Sequence, residues 1–284
     1  MCNLYLIIFR ILMSSLSITT NDGVKLAYSK TGENGPNVLL IHGWSGSRQY
    51  FRDSVQDLAK QCQVYAYDLR GHGDSDKPTW GAHVARLAGD LRDFLIALDL
   101  KEVVVVGTSL GCAIIWSYIE LFGNERLGKA VFVDQAPLQF YASDWKLGSN
   151  GCYDAASLAT LRMMLKYDFD AFAKGTAEGC MQRPPTKDTA AFLISETKKA
   201  DASFLGALMA DHTQLDWRPL LPRITLPCLV MVGKKSQCFP WQGVQYVADN
   251  IKGSKVEVYE EGDHWLYIEE PQRFSSSVIA FATQ

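Results

Sequence analysis

The sequence lacks the paired spacings that announce redox or metal chemistry. Its seven cysteines, at positions 2, 62, 112, 152, 180, 228 and 238, form no Cys-x-x-Cys pair. Several sit in apolar surroundings suited to reduced, packed thiols, so a reducing compartment and a cytoplasmic location are expected. The histidines and carboxylates show no spaced ligand set, and nothing calls for a metal or another cofactor. An excess of positive charge is also missing: 28 Lys and Arg stand against 31 Asp and Glu, for a formal net charge of -3. Without a basic footprint, nucleic acid is excluded as a partner, and a small-molecule substrate is expected instead. The apolar stretch at residues 4–13 is too short to cross a bilayer and is interrupted by Arg10, so no membrane span is expected. Residues 1–15 stand apart as an apolar leader with two open readings, a targeting segment or a stretch ahead of an alternative start at Met13. Oligomeric state has no signature in the chain.

What is present is a recurrence of short apolar runs and helical periodicities over 284 residues, a length that suits one large α/β domain with an insertion. Alternating segments at 16–20 and 24–28 flank Asn21-Asp22-Gly23, a hairpin signature. Buried strands are predicted at 37–41, 63–67, 130–133, 228–232 and 256–259, with helices between them at about 50–60, 83–98 and 241–251. Leu87, Leu91, Phe94, Leu95 and Leu98 give the second of these helices a continuous apolar face. The alternation predicts an α/β fold with a mostly parallel central sheet and helices on both faces. Between 138 and about 216 the strand pattern stops, and helical stretches at 155–165, 187–199 and 203–211 take its place. This segment is read as a helical cap, 138–215, inserted into a core made of 16–137 and 216–284. Its large apolar residues, among them Trp145, Met163, Met164, Phe169, Phe172, Met181, Phe192, Phe204 and Met209, are expected to hold the inserted helices together, with some facing a pocket at the carboxyl edge of the sheet.

The sharpest local feature is Val103-Val104-Val105-Val106-Gly107-Thr108-Ser109-Leu110-Gly111, where a run of valines breaks into Gly-x-Ser-x-Gly before a helical stretch. Four valines suit a strand covered on both faces, and the glycines let the chain turn sharply and present the serine hydroxyl at the strand's end. Cys112 follows directly and is read as a small core residue.

Three segments recur in one order: His42-Gly43-Trp44 after an early strand, the Ser109 elbow after a middle one, and Gly262-Asp263-His264-Trp265 after the last. Together with Asp68-Leu69-Arg70-Gly71-His72-Gly73-Asp74-Ser75, this order resembles the α/β-hydrolase superfamily, specifically its serine-nucleophile members with helical caps. The likeness runs from about Ile18 to the C-terminus. It implies an α/β-hydrolase fold with Ser109 as nucleophile and His264 as the general base that takes its proton, because a serine hydroxyl is almost fully protonated at neutral pH while an imidazole exchanges protons there. It also implies an oxyanion hole from the backbone amides of Trp44 and Leu110. His42 and His72 are expected to brace loops, Asp68 and Arg70 to fasten them, and His83 and His212 to serve surface or packing roles. Trp44, Trp145 and Trp265 are candidates for the pocket wall.

One part of the superfamily pattern is missing. Many members carry an aspartate in the turn after the penultimate strand, yet Val232-Gly233-Lys234-Lys235-Ser236-Gln237-Cys238-Phe239-Pro240 contains no carboxylate. Ser236 occupies the equivalent position and offers a hydrogen bond without the charge that stabilises an imidazolium. Asp134, at the end of the strand after the elbow helix, is the expected substitute, since some families of this fold place the acid there. Asp263 adjoins His264 and is expected to point away from its ring. The resulting expectation is a serine hydrolase with a Ser109-His264-Asp134 triad that cleaves an ester, lactone, thioester or amide of a small, apolar substrate through an acyl-enzyme on Ser109. The alternatives are a cofactor-free dioxygenase of the same fold, using a histidine-aspartate pair, and a ligand-binding protein with little or no turnover.

Overall fold

Eight strands form one sheet in a computed structural model that describes residues 16–284. The leader at 1–15 lies outside the described residues. The strands are β1 (Leu16–Thr19), β2 (Lys25–Thr31), β3 (Asn37–Ile41), β4 (Gln63–Tyr67), β5 (Val103–Thr108), β6 (Leu127–Val133), β7 (Cys228–Gly233) and β8 (Lys255–Tyr259). Their spatial order is β1-β2-β4-β3-β5-β6-β7-β8. The opening hairpin pairs antiparallel with Ile18 opposite Leu26, β2 runs antiparallel to β4, and every later pairing is parallel. The sheet is therefore the mostly parallel α/β sheet expected from the alternation of patterns.

Position in the sheet explains strand composition. The central β5 is buried along its whole length, so its four valines face apolar side chains above and below rather than alternating with polar ones. Two core clusters divide along its alternation: Val103 and Val105 pack toward helices α2 (Val84–Ala97) and α3 (Leu110–Phe122), while Val104 and Val106 pack toward α1 (Arg52–Leu58) and the C-terminal helix Pro271–Ala282. Because parallel strands all end on one edge, β3, β5, β6 and β7 deliver the chain into loops on the same side of the molecule.

Four helices lie between β6 and β7: α4 (Ala155–Tyr167), α5 (Phe169–Gly179), α6 (Lys187–Thr197) and α7 (Ala202–His212). Three match helical stretches read from the sequence; α5 was not among them. Its start is set by Asp168, whose carboxylate accepts a hydrogen bond from the Ala171 amide, and its Phe172, Ala173 and Ala177 face inward. Of the apolar residues expected to bind these helices together, Met163 and Met164 instead face solvent, 55% and 43% exposed. They sit on the outer side of α4, whose inward positions are Leu158 and Leu165. Helices Leu266–Glu269 and Pro271–Ala282 complete the chain. Among the described residues no helix is long and apolar enough to cross a membrane.

The inserted helices are fastened to the sheet by specific hydrogen bonds. The Ser47 hydroxyl donates to Glu196 Oε2 at 2.7 Å, the Trp44 indole donates to the Leu205 carbonyl at 3.0 Å, and the Asp201 amide donates to the Gly71 carbonyl at 2.9 Å. Below them, the loop after β4 is locked by buried charge. Arg70, fully covered, pairs with Asp90 on α2 and reaches Asp22 in the opening hairpin at 3.0 Å, while Arg48 pairs with Asp68. Removing the Arg70 cation leaves the buried Asp90 carboxylate with only Arg86, at 3.0 Å, to balance it. Arg70→Ala is therefore expected to lower the unfolding free energy by about 3–5 kcal/mol, read by chemical denaturation.

Candidate active site

The elbow is built by backbone geometry. Ser109 has φ 53° and ψ -121°, a left-handed conformation that non-glycine residues adopt at a cost of about 1–3 kcal/mol and that surrounding structure must enforce. Its amide donates to the Val133 carbonyl at 3.0 Å, which ties the turn to β6. Neighbouring glycines provide the room: a Cβ on Gly107 would lie 2.5 Å from the Gly111 carbonyl carbon, and one on Gly111 would lie 2.5 Å from the Ile41 carbonyl oxygen. The spacing Gly-x-Ser-x-Gly thus reflects contacts of the strand end with the helix start and of that helix with β3. Gly43 also lies close, since a Cβ there would meet the Ser109 Cβ at 3.0 Å.

Asp134 shares the strained backbone, with φ 46°, and is completely buried. Its amide donates to the Met231 carbonyl at 3.0 Å, prolonging the β6–β7 pairing by one residue and aiming the side chain across the sheet edge. Three donors meet the carboxylate. The Gly233 amide reaches Oδ1 at 3.1 Å, the Ser236 hydroxyl reaches Oδ2 at 2.6 Å, and His264 Nδ1 reaches Oδ2 at 2.7 Å. Ser236, in the turn that lacks a carboxylate, thus serves as a donor to the carboxylate that ends the neighbouring strand. Asp263 faces elsewhere: its oxygens accept from the Gln237 amide and side chain, both at 2.7 Å, and from the His264 amide at 2.7 Å.

Because an aspartate carboxylate can only accept, the contact assigns the proton to Nδ1 of His264 and leaves Nε2 with its lone pair. Burial opposes charge on this ring while its Cys238 and Asp134 neighbours favour it, and the balance lies above the ordinary imidazole value. The other buried histidines are displaced the opposite way. Burial lowers His42 to about 4 and His72 to about 3, and both act as loop braces: His42 Nδ1 bonds the Gly43 carbonyl while Nε2 accepts from the Leu69 amide, and His72 Nδ1 bonds the Arg70 carbonyl while Nε2 accepts from the Ser45 amide. These bonds hold the Gly43-Trp44-Ser45 loop against the elbow.

A cavity of about 240 Å³ joins the pieces, with Ser109, Leu110, Trp44 and His264 in one wall. Leu110 is the first residue of α3, so its amide has no acceptor within the helix and is free for a ligand oxygen. Trp44 and Trp265 line the cavity, whereas Trp145 packs against Tyr246 and donates to the Leu138 carbonyl, away from it. Sequence reading also missed several members. Cys180 at the end of α5 and Cys238 after Ser236 both face the cavity with their sulfurs 3.8 Å apart. His212, expected to pack or face water, lines it too; the preceding helical pattern gave no sign of this, because the last turn of α7 is turned over the sheet edge only by the tertiary arrangement. His83 is exposed, beside Asp211 at 3.3 Å, as expected. Among the described residues no group of three or more His, Cys, Asp or Glu side chains converges as a metal site.

The residues from 36 to 271 match a family model described as the alpha/beta hydrolase fold. The chain belongs to that family. It is 29% identical over 273 residues to a protein named non-heme chloroperoxidase CPO-A1 from Kitasatospora aureofaciens, with 93% of this chain and 98% of that protein covered. It is 24% identical to the pimeloyl-[acyl-carrier protein] methyl ester esterase of Vibrio vulnificus, covering 89% of this chain and 96% of the relative. Among solved structures, the esterase EaEST from Exiguobacterium antarcticum superposes with a TM-score of 0.90 at 24% identity, covering 95% of this chain and 100% of that one, and shows the shared fold.

The lowered histidines make acid stability a readout of this loop wiring. A group whose pKa in the folded protein lies below its unfolded value contributes fully above about 6.5 and loses that contribution as pH falls toward the folded value. His264, displaced upward, behaves oppositely, its contribution being complete below the unfolded value and lost at higher pH. His72→Gln removes one depressed group. The stability advantage of the wild type over this variant, from denaturant titrations, is expected to shrink steadily as pH is lowered from about 6.5 to 4.

Proposed function

We propose that this protein is a serine hydrolase that cleaves an ester, lactone, thioester or amide of a small substrate through an acyl-enzyme on Ser109. The observation that carries the reading is the 2.7 Å bond from His264 Nδ1 to Asp134, beside a cavity that also exposes Ser109. With Nδ1–H committed to the carboxylate, Nε2 accepts the Ser109 proton as Oγ attacks the acyl carbon, and the imidazolium that forms is stabilised by the adjacent anion. The amides of Trp44 and Leu110 receive the oxyanion of the tetrahedral intermediate. His264 then returns the proton to the leaving group, water enters under the same base, and the acyl group departs as the acid. The strained Ser109 backbone supports this order of events, because it holds the hydroxyl out of the helix that follows.

A cofactor-free oxygenase would use the same His264–Asp134 pair as a base, and a binding protein would use the same cavity. Ser109 separates these readings. A fluorophosphonate probe is expected to label the wild type at Ser109 and to leave Ser109→Ala unlabelled, with ester turnover lost in that variant. Absence of both labelling and turnover, with oxygen uptake or ligand binding alone, would overturn the hydrolase.

Asp134→Asn is expected to lower kcat by about 10⁴-fold, since an amide can hold the ring in the wrong tautomer and carries no charge. In the wild type, kcat/KM is expected to rise with pH through a value above about 6.5, because protonated His264 cannot accept the serine proton and its pKa is displaced upward. The residual activity of Asp134→Asn, followed against pH, is expected to show that limb at lower pH.

A further inference from the structure

His212 is 2% exposed, and neither of its ring nitrogens has a hydrogen-bond partner in the protein. It nevertheless borders the cavity that exposes Ser109 and His264. The polar side chains that share the lining, Gln139, Ser149 and Thr176 among them, make no hydrogen bond to the ring. A buried polar ring that the protein itself leaves unpaired must find its partner elsewhere, whereas a leucine in its place would need none. Such a group makes sense where the missing partner arrives with a ligand. Burial also lowers its pKa to about 4, so the ring is neutral near pH 7 and presents one N–H donor and one lone pair. That complement fits a neutral oxygen function rather than an anion.

We propose that His212 is a specificity-determining residue that hydrogen-bonds a hydroxyl or ketone oxygen on the substrate, away from the scissile bond, and selects oxygenated esters or lactones over plain hydrocarbon ones. The inference rests on the serine hydrolase reading. It places the chemical step on the sheet edge and the reading of the substrate on α7, which belongs to the inserted helices. A site that hydrogen-bonds a substrate oxygen discriminates against the analogue lacking it, because the protein group is then left unpaired.

The test is a panel of matched esters. On the acyl side, p-nitrophenyl pentanoate is compared with its 3-hydroxy and 4-oxo forms; on the alcohol side, butyl acetate is compared with 3-hydroxybutyl and 3-oxobutyl acetate. In at least one pair the wild type is expected to favour the oxygenated ester in kcat/KM by about tenfold or more. The ratio is expected to fall to parity in His212→Leu and to be partly restored in His212→Gln, which keeps a donor and an acceptor. Thermal midpoints give the second readout: His212→Leu is expected to melt no lower than the wild type. Parity across every wild-type pair overturns the proposal, as does an oxygen preference that survives His212→Leu. A lower melting point with unchanged ratios assigns His212 a structural role and also overturns it. Fluorophosphonate labelling of Ser109 is run alongside: labelling with parity removes this proposal alone, whereas no labelling and no turnover removes the hydrolase reading and this one with it.

Discussion

The site depends on one buried carboxylate. Asp134 leaves β6 with a left-handed backbone and collects hydrogen bonds from the Gly233 amide, the Ser236 hydroxyl and His264 Nδ1. A fully covered anion is tolerable only when donors surround it, and here the donors come from β7, from the loop that follows it, and from the loop after β8. The same bonds therefore satisfy the charge, join the two strand ends and set the tautomer and orientation of the histidine. Losing any one donor loosens a structural joint and a chemical one together.

Around this anchor, the loops on the carboxyl edge are held by neutral and charged contacts with separate tasks. His42 and His72 are kept uncharged by burial and spend both nitrogens on backbone groups of the loops beside the elbow. The Arg70–Asp90 and Arg48–Asp68 pairs lie beneath them and position the loop after β4. Of the four buried histidines, only His264 is displaced toward the charged form, and only it has a carboxylate on its ring. Thus one side-chain type braces loops at two positions and carries an anion-paired ring at a third, with the difference set by whether an anion or a carbonyl meets Nδ1.

The inserted helices add walls to the cavity at this edge, through Leu161, Thr176, Met209 and His212. Their attachments, through Ser47 to Glu196, Trp44 to Leu205 and Gly71 to Asp201, all fall on loops that also frame the elbow. The placement of the inserted helices is consequently coupled to the geometry of the elbow, and the loop carrying Trp44 touches both. The cavity is about 240 Å³, and its lining mixes apolar walls with polar side chains, Gln139, Ser149, Thr176 and His212 among them, that bear on what enters.

Much of this was legible in the chain because it is local. Four valines before Gly107 mark a covered central strand, Asn21-Asp22-Gly23 marks a hairpin, and the glycines around Ser109 record contacts that no larger residue permits. The helix 169–179 was obscured because Gly175 and Gly179 dilute its apolar stripe, and Met163 and Met164 misled because hydrophobicity alone does not say which side of a helix is covered. The choice between Ser236 and Asp134 could be posed from sequence, but not the outcome that both act together, since residues 102 positions apart meet only when β6 and β7 lie side by side. The same holds for Cys180 beside Cys238 and for His212. Local spacing determined the sheet, the elbow and the candidate nucleophile and base. Only the tertiary structure decided which carboxylate meets the base and which side chains enclose the cavity, because those depend on the crossing of distant segments, to which periodicity and turn chemistry are blind.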